Sequence, residues 1–155
     1  MRRLAAAWIV CLVLGGLPCM VSAQAGTVGS PAGSGAGSKV KLEKTEWRLT
    51  RLGGAAVTVD DPKRTPYLVL DPTAHRVSGS GGCNRVTGPY QLTGNQVTFS
   101  HMASTMMMCP SGMDLEQRFL KALNETKRWK IEGQELKLMD GEGKVEAVFE
   151  VGPAE

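Results

Sequence analysis

Histidine is scarce in this chain: only His75 and His101 occur among 155 residues. No Gly-x-Ser-x-Gly turn is present, so a nucleophile, its base and an orienting group have little to be built from. The phosphate-cradling loop that ends in Lys-Ser/Thr is missing too, although glycine itself is plentiful. Neither sign of charge dominates, with 18 basic residues against 15 acidic ones, a net charge of +3. Interspersed, nearly balanced charge excludes both the basic footprint of a nucleic-acid binder and a polybasic patch for anionic lipid. No later apolar run is long enough to span a bilayer. These absences point to a protein that is not an enzyme and carries no cofactor, and a monomer is expected.

What the chain does have begins with an export signal. Arg2 and Arg3 precede an apolar run over residues 4–17, and Val21-Ser22-Ala23 supplies small residues before Gln24. Basic, apolar and small residues in that order read as a secretory signal peptide over residues 1–23. Cys19 offers an alternative, acylation as a lipoprotein, although Pro18 stands where a small residue is preferred before the modified cysteine. Residues 24–39 are rich in Gly, Ser and Ala, with no charge over residues 25–38, as a flexible tether has. The folded domain is expected over residues 40–151, in the periplasm or outside the cell, with membrane anchoring through Cys19 as the other localisation.

Cleavage after Ala23 removes Cys11 and Cys19 and leaves Cys83 and Cys109. In an oxidising compartment such a pair is expected to form a disulfide. Cys109 closes a loop unusually rich in sulfur, His101-Met102-Ala-Ser-Thr105-Met106-Met107-Met108-Cys109, with Met113 just beyond. Two readings compete for it. Methionine fills irregular apolar gaps, so the loop is expected to plug one end of the core beside the disulfide. Alternatively, thioethers favour Cu(I), and His101, Met102, Met106 and Met108 form a candidate ligand set. Alternation along an extended segment puts Met106 and Met108 on one side and Met107 on the other. A bridged Cys109 removes the best copper ligand, so packing leads and no metal is assigned.

Strand signals dominate residues 40–151. Trp47 and Leu49 alternate with polar neighbours up to Gly53-Gly54, and Val57 and Val59 mark a short return. Residues 67–70 and 75–80 read as strands around Asp71-Pro72. Gly79, Gly81 and Gly82 in one approach imply a bulge or a close backbone contact. Tyr90 and Leu92, then Val97 and Phe99, flank Gly94-Asn95 as a hairpin. Trp129 and Ile131, Leu136 and Leu138, and Val145 to Val151 give three more strands, with Trp47 and Trp129 expected to face the core. One helix is expected from Ser111, with Asp114 completing a capping box, to about Thr126. Its apolar stripe is Leu115, Phe119, Ala122 and Leu123. The fold class is therefore α+β: a strongly bent antiparallel sheet, an open or cracked barrel, packed against one helix. Asn84 is read as bonding local backbone to hold a left-handed or bulged turn.

Gly82-Cys83-Asn84-Arg85-Val86-Thr87-Gly88, Tyr90, and the Thr105-x-Met107-x-Cys109 segment resemble the META (HslJ-like) domain family. The opening Trp47-Arg48-Leu49, the single helix and the Leu136/Leu138 hairpin follow in the same order. The resemblance implies a cracked antiparallel barrel against a helix, with Gly82, Asn84 and Thr105 as structural motif residues. It implies no activity and no settled ligand. Family members include a heat-inducible bacterial envelope protein linked to antibiotic tolerance and a virulence-associated protein of kinetoplastid parasites. Likeness in shape to pilotins implies a secretion-accessory role, binding lipid or protein. The expected partner is thus an envelope protein or an apolar ligand, in a stress-related setting.

Overall fold

The computed structural model describes residues 40–153. The expected signal peptide, the tether and Cys19 lie outside the described residues. Ten strands and one α-helix follow along the chain: β1 Glu46–Leu52, β2 Ala55–Ala56, β3 Tyr67–Asp71, β4 Arg76–Ser80, β5 Arg85–Thr93, β6 Gln96–Phe99, β7 Ala103–Ser104, α1 Met113–Glu125, β8 Arg128–Glu132, β9 Glu135–Met139 and β10 Val145–Val151. The return expected through Val57 and Val59 is shorter, at Ala55–Ala56, and Val57 adds one backbone bond to Thr50. Residues 62–64 form a short 3-10 helix capped by the Asp61 carboxylate.

Period-two alternation explains the sheet. Trp47 and Leu49 of β1, Leu68 and Leu70 of β3, Val97 and Phe99 of β6, and Leu136 and Leu138 of β9 all point into one core, and their polar neighbours face out. All neighbouring strands are antiparallel, in the order β10-β9-β8-β6-β5-β4-β3-β1. The ring then closes, because β1 also pairs with β10, Trp47 opposite Val151 and Leu49 opposite Phe149. This is where the structure departs from the open barrel expected: eight strands form a closed ring, with β2 and β7 as additions. The thinnest joint is β6–β8, where only Gln96 and Arg128 are paired.

The helix packs on β10, β6 and β1. Phe119 and Leu123 are fully buried, and the Phe119 ring meets Phe149 at 6.2 Å between centroids. Burying such side chains contributes roughly 1.5–3 kcal/mol each. At its C-terminus the buried Thr126 hydroxyl donates to the Ala122 carbonyl at 2.8 Å. At its N-terminus the expected capping box does not form. Gly112 is the cap at φ 93°, and no side-chain cap hydrogen bond is made. A left-handed backbone there needs glycine rather than Ser111, and it turns the chain sharply out of the sulfur-rich loop. Trp129 packs against the core as expected but is only half-buried, because β8 lies beside the thin joint. Its indole N–H donates to the Gly94 carbonyl at 3.1 Å.

Candidate functional site

The family motif residues converge at one end of the barrel, between the β4–β5 turn and the start of α1. Cys83 and Cys109 are joined in a disulfide, with 6.0 Å between their Cα atoms. Beside it lies Asn84, only 4% exposed. Its Oδ1 accepts from the Met107 backbone N–H at 2.7 Å and from the Thr105 hydroxyl at 2.9 Å. Its Nδ2 donates to the Met107 carbonyl at 3.3 Å. Thr105 in turn accepts from the Arg85 N–H at 3.1 Å. Asn84 therefore pins the 105–107 backbone across the fold and does not bond local backbone as expected. The left-handed residue of this turn is Gly82, at φ 104°.

Glu116 completes the cluster and was not foreseen as a site residue. It is 7% exposed. Its carboxyl accepts the Asn84 backbone N–H at 2.6 Å, Asn84 Nδ2 at 3.0 Å and the Ser104 hydroxyl at 2.9 Å. A signal for it existed: Glu116, Phe119 and Leu123 fall at i, i+3 and i+7, so the carboxylate rides on the apolar stripe. Gly81 is required alongside, since a Cβ there would stand 2.5 Å from Glu116 Cγ. Gly79 is equally confined, with the Tyr67 carbonyl oxygen 1.9 Å from where its Cβ would be. The close contact expected of these glycines is thus present. Among the described residues no buried side-chain polar atom lacks a hydrogen-bond partner.

The methionines do not plug the core as expected. Met106 is 98% exposed, Met108 94%, Met107 57% and Met113 41%. Asn84 and the disulfide hold the loop backbone outside the closed barrel, so packing has no room for these side chains. Among the described methionines only Met102 packs against the core. The candidate copper ligands have different surroundings. His101 is exposed at a left-handed bend, Met102 faces inward, Met106 and Met108 stand in solvent, and Cys109 is bridged. Among the described residues no group of three or more His, Cys, Asp or Glu side chains could hold a metal ion.

Next to the loop is a cleft of about 410 Å³, lined by Thr58, Val59, Asp61, Arg64, Gly112 and Leu115 among others. It is a mouth of mixed polarity at the barrel end and does not enter the filled core. The shifted titrations lie elsewhere. Burial, and then the Glu43 carboxylate accepting at 2.5 Å, push the Tyr90 hydroxyl up. Lys130 and Lys137 hold the exposed Glu132 carboxyl down at about 2. Neither group borders the cleft.

A META-domain family model matches residues 40–152. No curated protein matches the chain. Among solved structures, the chain is similar to a protein from Burkholderia xenovorans determined by NMR, at 26% identity and TM-score 0.60, covering 73% of this chain and 85% of that one. It is also similar to a DUF4847 family protein from Bacteroides vulgatus, at 14% identity and TM-score 0.55, covering 74% of this chain and 96% of that one. The second likeness is one of fold alone.

Proposed function

The chain belongs to the META-domain family through residues 40–152, and from that premise we propose that it is an exported, non-enzymatic binding module of the bacterial cell envelope. Its docking surface is the disulfide-clamped methionine loop. The observation that carries this reading is the exposure of Met106 and Met108 on a backbone fixed by Asn84 and Cys109. Adjacent apolar side chains held rigidly in water are what an interaction surface presents to a partner. Thioethers suit such surfaces because they adapt to varied shapes. Against catalysis stand two exposed histidines and two bridged cysteines, none of them poised as a base or a nucleophile. An apolar ligand inside the barrel has no support, since Trp47, Phe119 and Phe149 fill it.

Photocross-linking in the native host tests the reading. A photoreactive residue at position 106 or 108 is expected to give discrete adducts with an envelope protein, and one at exposed Lys130 is not. Equal, diffuse labelling from all three positions would sink it. Export and the monomeric state belong to the same proposal. Mass spectrometry of protein recovered from its host distinguishes cleavage after Ala23 from acylation at Cys19. The stress-related setting rests on family resemblance only, and so does the secretion-accessory role, for which likeness of fold is weak support.

Solvent-facing thioethers also favour a second reading, Cu(I) binding by Met106 and Met108. Retention of Cu(I) against a chelator, lost in Met106→Ala with Met108→Ala, is its expected result. Absence of retention by the unaltered protein ends it.

A further inference from the structure

The six methionines among the described residues differ sharply in what surrounds their sulfur. Met106 and Met108 meet almost nothing, and Met107 is about half exposed. Met102 packs on the core, where its Sδ is 2.5 Å from where a Cβ at Gly88 would stand. Met139 is half-buried in β9. The usual first targets of oxidants are thiols, but Cys83 and Cys109 are already bridged. The loop thioethers are then the most accessible soft nucleophiles of the domain.

We infer that Met106 and Met108, with Met107 between them, form a site of reversible S-oxidation by hypochlorous acid and related two-electron oxidants, which switches the docking loop from apolar to polar. The consequence for docking rests on the reading proposed above, whereas the chemistry does not. In the reaction, the Sδ lone pair attacks chlorine, the O–Cl bond breaks and hydroxide leaves. Water then adds to sulfur, the S–Cl bond breaks, and chloride and two protons depart, one of them neutralising the hydroxide. The net products are sulfoxide, chloride and one proton. Sulfur loses two electrons and chlorine gains them. A dithiol-dependent methionine sulfoxide reductase reverses the change, yielding thioether, disulfide and water.

Two features of the fold make this a switch and not simple damage. The loop cannot turn inward to shelter its sulfurs, because the Met107 N–H and carbonyl are both tied to Asn84 and Cys109 is bridged. Equally, none of the three side chains belongs to the core cluster, so a polar sulfoxide there disturbs no buried packing.

The test treats the disulfide-bonded mature protein with limiting hypochlorite and maps sulfoxide by peptide mass spectrometry. Met106 and Met108 are expected to oxidise first, Met107 and Met113 next, and Met102 and Met139 last. The thermal midpoint should stay unchanged while the loop oxidises, and reductase with a dithiol should restore the mass. Oxidation of Met102 or Met139 as fast as Met106 overturns the site, as does a falling thermal midpoint at loop-only oxidation. A photoreactive residue at Met113 reads the switch. Its cross-linking is expected to fall several-fold after oxidation and to persist in Met106→Ile with Met107→Ile and Met108→Ile, which stays apolar and resists oxidant. Selective oxidation with unchanged cross-linking overturns the switch and leaves docking standing. Selective oxidation with no cross-linking in either state overturns docking and the switch together, and leaves the modification site.

Discussion

Asn84 and Glu116, separated by 32 residues, are joined by two hydrogen bonds, one from the Asn84 backbone N–H at 2.6 Å and one from its side-chain amide at 3.0 Å. One buried amide thereby ties the disulfide turn, the sulfur-rich loop and the first turn of α1 together. Satisfied networks of this kind are costly to break in part, because the remaining groups are left buried without partners.

Replacing either residue by alanine is accordingly expected to lower stability by about 2–3 kcal/mol, the cost of orphaned buried polar groups. Urea unfolding of Asn84→Ala, Glu116→Ala and the double variant measures it. The double variant should lose less than the two single losses combined, with a coupling of about 1–2 kcal/mol. Strict additivity would show that the two residues do not act as a unit.

The disulfide closes a sequence separation of 26 residues. Cys83→Ser with Cys109→Ser is expected to lose about 3–4 kcal/mol on the chain-entropy account. The unaltered protein should show the same loss when unfolded in reductant. If reductant leaves the unfolding midpoint in place, the bridge is not a constraint on the folded protein.

Phe119→Ala removes the ring that meets Phe149 in the fully buried core. The expected loss is about 3–5 kcal/mol, since the closed barrel can collapse only partly around the cavity. Gly79→Ala is expected to be severe for the opposite reason: its Cβ would overlap the Tyr67 carbonyl and force β3 from β4. Calorimetry separates both from Gly94→Ala, where no atom lies within 4 Å and the cost is confined to the left-handed backbone.

Glu132 supplies a pH signature. The Lys130 ammonium, 2.6 Å from its carboxylate, and then Lys137 hold its folded-state pKa at about 2, below the ordinary carboxylate range. A depressed carboxylate adds stability that is complete above its unfolded value and is lost as pH falls towards about 2. Full exposure and salt screening keep the effect small. Carboxyl NMR should find Glu132 titrating lowest among the exposed glutamates in low salt and moving upward in high salt. A midpoint near that of its neighbours would count against the ion pairs.

Much of this fold could be read from local pattern. Alternation marked β1 and the β5–β6 hairpin, and the i, i+4, i+7 recurrence marked the buried face of α1. The cysteine pair left after the expected signal cleavage marked the disulfide. What escaped depends on distant partners. The pairing of β1 with β10 closes the ring through hydrogen bonds that neither strand signals on its own. Glu116 was not singled out because its partners lie on Asn84 and Ser104, far off in sequence. The methionines looked like core filler because composition carries no information on which side of a closed barrel a loop will lie. Gly112 displaced Ser111 as the helix cap because the loop must reverse direction there.

Barrel closure between the first and last strands sets an order for assembly. The Thr50 hydroxyl donates to the carbonyl of Val148, 98 positions later. A chain that emerges amino end first must therefore carry β1 with one unsatisfied edge, and Trp47 without its roof, until nearly all of it has been delivered. Such late, long-range zipping is slow and exposes a sticky margin in the meantime. Shortening the chain by its final strand would leave that margin open permanently, and aggregation of such a fragment would follow.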